Sequence, residues 1–563
     1  MVDSGSAAVR RERPGAPWRI DMTEKASDCD VPVLIVGGGV TGLSAALFLA
    51  RQGVRPLLVE RHPSTAVQPQ ARAFNPRTIE IYRALGLEDE IRGRASFLAD
   101  LPEMLGARTL AGEERFRVNV LDQVRPSATV SPTDWVMIDQ DELERIVAEH
   151  AGRAGAEIRF GAELISFAEE ADGVTALIRP IDGGGEYRVR ARYLIAADGN
   201  RAGIRERLGV GTSGPVSDAL LNVVGFTFDA DLGPVLRGRR FLLAYFDEPV
   251  VGTTLVPMRQ SGRWSMGLPL RAEDGETLAD FTEERCVEIV RRAIGVPDLD
   301  VTLLQAYPWS PEKVVGTRIG AWVADRYRVG RVFFAGDAAH VVPPSGSFGA
   351  STGIADAHNL AWKLAAVLAD SAGEPLLDSY EAERRPVARV TLDQSMQRLA
   401  GRHRGSGDDA VTIDDVTMIF GYRYDSAAVL TEPPAPEAPV VDPSSAGGRP
   451  GLRAPHVWLS RAGERVSTID LFDGAWTLLV APGGGEWAAA AEKAAVAADI
   501  ELRIHRVGTD LKDVDGRWNE AYGVTDAGAT LVRPDGFVAW RAAGRTAEPE
   551  DDLRRVLARL LAR

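Results

Sequence analysis

The chain has 563 residues, of which 45% are hydrophobic and 26% charged, a composition typical of a globular protein of about three or four domains. Its formal net charge of −15 repels nucleic-acid phosphates, so we expect no nucleic-acid partner. No apolar run reaches the about 18 residues that cross a membrane, and the two cysteines, Cys29 and Cys286, lack metal-ligand spacing. We therefore expect no membrane partner, no metal site and a cytoplasmic location.

The first 28 residues carry four arginines but lack the apolar core of a secretion signal. We interpret residues 1–28 as a disordered tail, and Met22 is an alternative start.

A β-α-β unit follows this tail. Residues 31–36 are continuously apolar, which is typical of a strand buried on both faces. A glycine-rich segment at residues 37–42 precedes a small-residue helix at 43–51 and a second strand at 55–59 that ends at Glu60. Glycine permits a tight turn and a close approach of backbone to a pyrophosphate, and the helix N-terminus favours that anion. Glu60 suits ribose hydroxyls and disfavours a 2′-phosphate, so the pattern predicts resident FAD or NAD rather than NADP.

Two further buried strands end in similar motifs. The strand at residues 192–197 is followed by Asp198 and Gly199, and the strand at 331–335 by Gly336 and Asp337. Asp337 is placed to accept a hydroxyl of a sugar chain. A rigid loop containing Pro343 and Pro344 then leads to a helix at 354–368, whose N-terminus favours a negative charge.

Between these strands the pattern changes. Short segments at residues 221–228, 240–246 and 263–269 are rich in aromatic and β-branched residues, which predicts an inserted, mostly antiparallel sheet. Phe241, Tyr245 and Trp264 are its candidate substrate contacts, although aromatic residues in strands often belong to the core.

The C-terminal part forms a separate α/β unit. Residues 431–450 contain six prolines and predict a linker. Strands are expected at 476–480, 501–507 and 529–532, with helices at 486–498 and 550–561.

The predicted boundaries follow from these patterns. They place a discontinuous Rossmann-like domain at 29–213 and 315–430, a middle substrate domain at 214–314, a linker at 431–450 and a C-terminal domain at 451–563.

With these motifs in hand, residues 31–385 resemble the single-component, FAD-dependent aromatic hydroxylases of the para-hydroxybenzoate and phenol hydroxylase superfamily. The likeness is strongest to the branch that modifies aromatic polyketides and to rifampicin monooxygenase. The C-terminal unit resembles the thioredoxin-like domain of the same family but has no cysteine, which excludes dithiol exchange. The resemblance implies an α/β fold with FAD as cofactor.

The resemblance also implies the positions that contact FAD. They are Gly37, Gly39, Val40, Thr41 and Gly42 at the pyrophosphate, Glu60 and Arg61 at the adenosine ribose, Arg72, Gln140, Leu164, Asp198 and Asp337, and, at the flavin ring, Pro344, Gly349, Ala350 and Ser351. The chain departs from the family pattern at Ser347 and Ser351, where members often have glycine and asparagine.

By the same resemblance, NADPH or NADH is a transient reductant, and O2 forms a flavin C4a-hydroperoxide that hydroxylates a polycyclic aromatic substrate. Monomer and homodimer both fit. Alternatives are Baeyer–Villiger oxygenation, inactivation of an aromatic antibiotic, a flavin dehydrogenase or reductase without oxygen activation, and a flavoprotein that only binds a ligand. We assign no side chain as catalytic acid, base or nucleophile.

Overall fold

The computed structural model describes residues 28–66, 71–101, 103–119, 129–306, 311–404, 412–433 and 438–563. The predicted tail lies outside the described residues apart from Asp28, and so do residues 434–437 of the predicted linker. The strands are β1 (Cys29–Val36), β2 (Leu57–Glu60), β3 (Glu103–Ala107), β4 (Glu114–Asn119), β5 (Glu157–Phe160), β6 (Ala162–Glu170), β7 (Gly173–Pro180), β8 (Tyr187–Ala196), β9 (Thr212–Asp229), β10 (Leu243–Phe246), β11 (Thr253–Pro257), β12 (Arg263–Pro269), β13 (Thr302–Leu303), β14 (Val314–Ala324), β15 (Arg328–Val329), β16 (Val332–Phe334), β17 (His340–Val341), β18 (Trp458–Arg461), β19 (Glu464–Ser467), β20 (Trp476–Val480), β21 (Leu502–Arg506), β22 (Lys512–Asp513), β23 (Ala529–Val532) and β24 (Val538–Ala542). The helices are α1 (Val40–Arg51), α2 (Pro76–Ala84), α3 (Glu88–Gly93), α4 (Gln140–Arg153), α5 (Gly203–Arg207), α6 (Gly233–Leu236), α7 (Glu283–Ile294), α8 (Gly349–Leu368), α9 (Asp378–Arg404), α10 (Asp415–Phe420), α11 (Gly485–Ala498), α12 (Trp518–Tyr522) and α13 (Pro549–Leu560).

The first sheet has eight strands in the order β15-β16-β8-β1-β2-β5, with the hairpin β6-β7 attached to β8. The pairs β16-β8, β8-β1, β1-β2 and β2-β5 are parallel. Val36 and Phe334 both lie opposite Ala196, so β1, β8 and β16 end side by side. Continuous burial from Val33 to Val36 fits a strand covered on both faces.

The second sheet has nine strands in the order β17-β14-β9-β12-β11-β10-β3-β4, with β13 paired to β9. Its pairs are antiparallel except β10-β3. One face packs against α7 around a core that includes Phe226, Met266 and Ile289. The sheet also takes in β3 and β4, which lie outside the predicted range 214–314, because β3 pairs with β10.

The C-terminal unit contains a four-stranded sheet in the order β21-β20-β23-β24. The strands β20 and β21 are parallel and are connected through α11, whereas β23 and β24 run antiparallel to their neighbours. This unit joins the first domain through an edge-on contact of Trp476 with Trp362 of α8, their ring centroids 5.7 Å apart.

The predicted elements agree with the observed ones in type but differ at their ends. The strands predicted at 476–480 and 529–532 match β20 and β23, whereas α8 begins at Gly349, before the predicted residue 354. Glycine, serine and threonine in its first turn have low helix propensity, so the local pattern understates this helix. Among the residues described, no helix combines the length and apolarity needed to span a bilayer.

Candidate functional site

The three glycine and aspartate motifs meet at one edge of the first sheet. They follow β1, β8 and β16, which are adjacent and parallel, and Glu60 ends the next strand, β2. Close packing fixes the third motif against the first, since a Cβ atom at Gly336 would lie 2.5 Å from the side-chain Oγ1 of Thr41 at the start of α1. The predicted convergence is therefore present in the fold.

The loop between β1 and α1 needs glycine for two reasons. Gly37 has a φ of +111°, and a Cβ atom there would overlap the main-chain oxygen of Ala197. A Cβ atom at Gly42 would overlap the main-chain oxygen of Gly37. The helix α1 begins at Val40 without a side-chain cap from Gly39, so its N-terminus offers backbone donors and a positive dipole end to an anion.

A cleft of about 870 Å³ opens beside this loop. Its lining includes several predicted cofactor residues: Gly37, Gly39, Glu60, Arg61, Gln140, Leu164 and Asp198. The volume lies within the range of about 300–1,000 Å³ that is usual for ligand sites.

Glu60 is held in place at the end of β2. Its Oε2 accepts a hydrogen bond from the Gly38 amide at 2.6 Å, and its Oε1 accepts one from the His62 amide at 2.8 Å. The His62 ring Nδ1 lies 2.5 Å from the same Oε1. The carboxylate is thus fixed beside the glycine loop, where it faces the cleft.

Asp198 presents an unpaired carboxylate oxygen at the same edge. Its Oδ2 accepts from the Ile204 amide at 3.0 Å, but its buried Oδ1 has no hydrogen-bond partner. Burial raises the pKa of this carboxyl. Buried polar atoms nearly always have a hydrogen-bond partner, so the unpaired Oδ1 indicates that a bound ligand supplies the missing donor.

Asp337 lies on the short turn after β16. Its residue surface is open to solvent, yet surrounding protein raises the pKa of its carboxyl through desolvation. The turn is anchored from below, because the Gly336 amide donates to Oδ2 of buried Asp356 at 3.1 Å. Asp356 is therefore part of the support for Asp337.

Asp356 also contacts His340 and Arg384, both buried. His340 Nε2 lies 2.7 Å from Oδ2 of Asp356, and Arg384 Nε donates to Oδ1 at 2.7 Å. Burial opposes the charged form of Asp356, but Arg384 and His340 outweigh it and lower its pKa. His340 thus belongs to a structural network, and the described residues contain no cluster of side chains suited to a metal ion.

Sequence reasoning missed Glu144, a fully buried residue of α4 that lines the cleft. Its Oε1 accepts from Nε2 of Gln140 at 2.8 Å, and its Oε2 accepts from the Ala66 amide at 2.8 Å. Burial raises the pKa of this carboxyl. The signal was its position four residues after Gln140, which puts both side chains on one helix face.

Other predicted contacts, among them Asp337 and Ser351, do not belong to the lining of the cleft. Arg72 lies apart from its lining and donates to the main-chain oxygen of Pro257 at 3.2 Å, which ties this region to the second sheet. Burial lowers the pKa of Arg72. Pro344, Gly349 and Ala350 lie on the loop after β17 and the first turn of α8.

The three candidate substrate residues separate into two groups. Phe241 and Trp264 are buried in the core on the α7 side of the second sheet, with ring centroids 6.2 Å apart. Tyr245 is half-buried and alternates with buried Ala244 and Phe246, so it lies on the opposite face. Only Tyr245 of the three faces away from that core.

Comparison with known proteins gives two family matches. A model described as "FAD binding domain" matches residues 30–395, and one described as "Aromatic-ring hydroxylase, C-terminal" matches residues 447–563. A putative polyketide hydroxylase of Streptomyces halstedii is 43% identical over 550 residues, covering 94% of this chain and 97% of the relative. A tetracenomycin B2 monooxygenase-dioxygenase of Streptomyces olivaceus is 44% identical over 553 residues, covering 95% and 99%. The crystal structure of aklavinone-11 hydroxylase with FAD and aklavinone has a TM-score of 0.86 and 40% identity, covering 95% of this chain and 99% of that one.

Proposed function

The chain belongs to the FAD-dependent aromatic-ring hydroxylases, and on that premise we propose that it hydroxylates a polycyclic aromatic, polyketide-like substrate with O2 and with NADPH or NADH as reductant. The observation that carries the proposal is the meeting of four adjacent strand ends, of which those of β1, β2 and β8 line a cleft of about 870 Å³. Related proteins that are named for polyketide substrates support the substrate class.

The cleft suggests how the adenosine end of FAD is held. The N-terminus of α1 and the backbone of residues 37–42, whose turn needs glycine at Gly37 and Gly42, would hold the pyrophosphate. Glu60 would accept the ribose hydroxyls and Leu164 would support the adenine, with Arg61 at the cleft wall. Gln140 contributes through its position beside Glu144.

The flavin end belongs to the second and third motifs. Asp337 would accept a ribityl hydroxyl, and the free oxygen of Asp198 would accept a hydrogen bond from the bound cofactor. Arg72, which donates to Pro257 of the second sheet, would contact the cofactor, and the backbone of Pro344, Gly349, Ala350 and Ser351 would face the ring. The positive end of α8 would stabilise negative charge on the ring.

Bound FAD supplies the oxygen-activating chemistry, and the chain supplies position and exclusion of water. The substrate lies between the flavin end and the face of the second sheet that carries Tyr245. A misplacement of about 1 Å at the reacting atoms costs on the order of a hundredfold in rate, so this sheet must hold the substrate firmly.

The same proposal covers the architecture. Residues 29–213 and 315–430 form the FAD-binding domain, residues 214–314 the main part of the substrate domain, and residues 451–563 a thioredoxin-like domain with a structural role. We expect a cytoplasmic monomer or homodimer that needs no second protein component for reduction.

The test is turnover of polycyclic phenols by purified protein. We expect a yellow protein that oxidises NADPH or NADH faster when a substrate is present, and a product that gains one oxygen atom from labelled O2. Asp337→Ala should lose most bound FAD. A protein that reduces its flavin but leaves every phenol unmodified would contradict the proposed hydroxylation.

A further inference from the structure

A second, smaller cavity lies between α2, α8, α9 and α10. Its volume is about 30 Å³, and Arg77, Ser351, Thr352 and Arg384 contribute to its lining. In the described part of the chain it shares no lining residue with the large cleft. A space of this size holds one or two water molecules or a single halide ion, and it excludes a flavin ring.

Two buried donors at this cavity have no acceptor. Arg77 is 6% exposed and its Nε is unpaired, and Ser351 is 4% exposed and its Oγ is unpaired. They come from different helices, α2 and α8, and both line the same space. Because buried donors are nearly always satisfied, the pair indicates a missing acceptor.

The side chains around Arg77 carry excess positive charge, which also favours a bound anion. Arg77 NH1 lies 3.1 Å from Oε2 of Glu80, and Nε of Arg453 donates to the same oxygen at 2.9 Å. All three side chains are buried, and among the residues described no second carboxylate pairs with either guanidinium. The remaining NH2 of Arg77 donates to the main-chain oxygen of Asp535, which is neutral. Two cations therefore share one anion, an arrangement that burial disfavours.

Two helix N-termini add to this positive potential. The helix α2 begins at Pro76 after the cap Asn75, and α8 begins at Gly349. Asn75 and Thr78 line the cavity from the first helix, and Ser351 and Thr352 line it from the second. The positive ends of both helices thus favour a negative charge. Arg384, also in the lining, is already paired with Asp356.

We propose that this cavity binds one monovalent inorganic anion of halide size, such as chloride, between Arg77 Nε and Ser351 Oγ. The bound anion balances the Arg77, Glu80 and Arg453 trio and connects α2 to the first turn of α8. Phosphate and sulfate are too large for the space. The inference does not depend on the proposed hydroxylase activity.

Crystals of the FAD-loaded protein grown in bromide instead of chloride test the site directly. We expect an anomalous bromide peak in contact with Arg77 Nε and Ser351 Oγ. Ordered water without an anomalous signal, or an empty cavity, in those crystals would overturn the proposal.

Thermal unfolding of the holoenzyme in chloride and in gluconate at matched ionic strength gives a second measurement. We expect chloride to raise Tm, because a ligand that binds only the native state stabilises it. Ser351→Ala should increase the chloride concentration at the midpoint of this effect about tenfold or more, since it removes a hydrogen bond to a charged group.

Ser345→Ala is the matched control for that variant. Ser345 is also a fully buried serine with an unpaired hydroxyl, but it does not line the cavity. We expect its chloride midpoint to equal that of the wild type. Equal Tm values in both salts, or equal shifts in both variants, would contradict an anion site. If Ser351→Ala does not fold, the bromide map decides.

Discussion

The cofactor site and the junction with the C-terminal unit are both rich in charged residues, but the two regions differ in how completely those charges are paired. The junction is the contact of α8 and α9 with the turn at residues 533–536. There Glu383 Oε2 lies 2.7 Å from Nζ of Lys363, and Glu383 Oε1 lies 2.6 Å from Arg533 NH1. Arg533 also pairs with Asp535 at 2.5 Å, so two cations face two carboxylates, all buried.

At the cofactor site, by contrast, Asp198 keeps a buried oxygen without a hydrogen-bond partner, and desolvation raises the pKa of the Asp337 carboxyl. Removing one partner of a fully paired buried charge destabilises the fold, whereas a buried polar atom without a partner indicates where a ligand binds. The contrast predicts that variants at the junction change stability and variants in the cleft change FAD affinity.

The largest effect is expected for Glu383→Gln at the junction. Loss of the carboxylate leaves Lys363 and Arg533 without their shared anion, and removing one partner of a buried pair costs about 3–5 kcal/mol. Denaturant unfolding of the apoprotein measures the loss. Glu248→Gln is the control, because Glu248 also pairs with two arginines, Arg108 and Arg292, but does so at the surface. Its free energy of unfolding should fall far less than that of Glu383→Gln. Equal stability of both variants would remove the distinction between the two regions.

Asp337→Asn at the cofactor site should lower FAD affinity without lowering the stability of the apoprotein. Loss of a hydrogen bond from a charged group weakens FAD binding by about 2 kcal/mol, which is roughly thirtyfold in Kd. The apoprotein should be at least as stable as the wild type, because desolvation disfavours the charged form of the Asp337 carboxyl in the folded protein. Fluorescence titration with FAD measures the affinity, and an unchanged Kd would count against the contact.

The junction also predicts an acid sensitivity. Burial, with Arg77 as the next cause, lowers the pKa of His358 from its ordinary value of 6.5 to about 3. Between these two pH values the unfolded chain binds a proton that the folded chain does not, so stability falls as the pH is lowered through this window. Urea unfolding at pH 7 and pH 5 should show a smaller difference for His358→Gln than for the wild type. A difference of the same size would exclude His358 as its source.

The smallest effect is expected for Glu60→Gln. An amide oxygen accepts ribose hydroxyls less strongly than a carboxylate, so FAD affinity should fall about fivefold. Glu163→Gln is the control, since Glu163 lines the same cleft without a proposed cofactor contact. Affinities that fall equally in both variants would point to a general loss of negative charge instead of a specific contact.

The parts of the site that follow strand ends could be predicted from the sequence. Apolar runs, glycines and a terminal acid are local signals, and parallel pairing then places Glu60, Asp198 and Asp337 at one edge. The first turn of α8 was not recognised, because glycine, serine and threonine have low helix propensity. Gly353, just after this turn, packs against Thr41, which lies far away in the chain.

Long-range pairs could not be predicted in this way. Glu383 and Arg533 are 150 residues apart, and nothing in either neighbourhood specifies the other. Alternation along β12 puts Trp264 on the same face as Met266, but it does not show which face of the sheet meets the substrate. Phe241 precedes β10, so strand alternation does not give its direction. Glu144 could be predicted only with the knowledge of which face of α4 lines the cleft.

A crystal structure of the FAD-loaded protein tests the central claim most directly. We predict the pyrophosphate at the N-terminus of α1, the adenosine ribose on Glu60 and the ribityl chain on Asp337, with the junction unchanged. FAD bound away from these strand ends, or a cleft that stays open while FAD occupies another part of the molecule, would contradict this account.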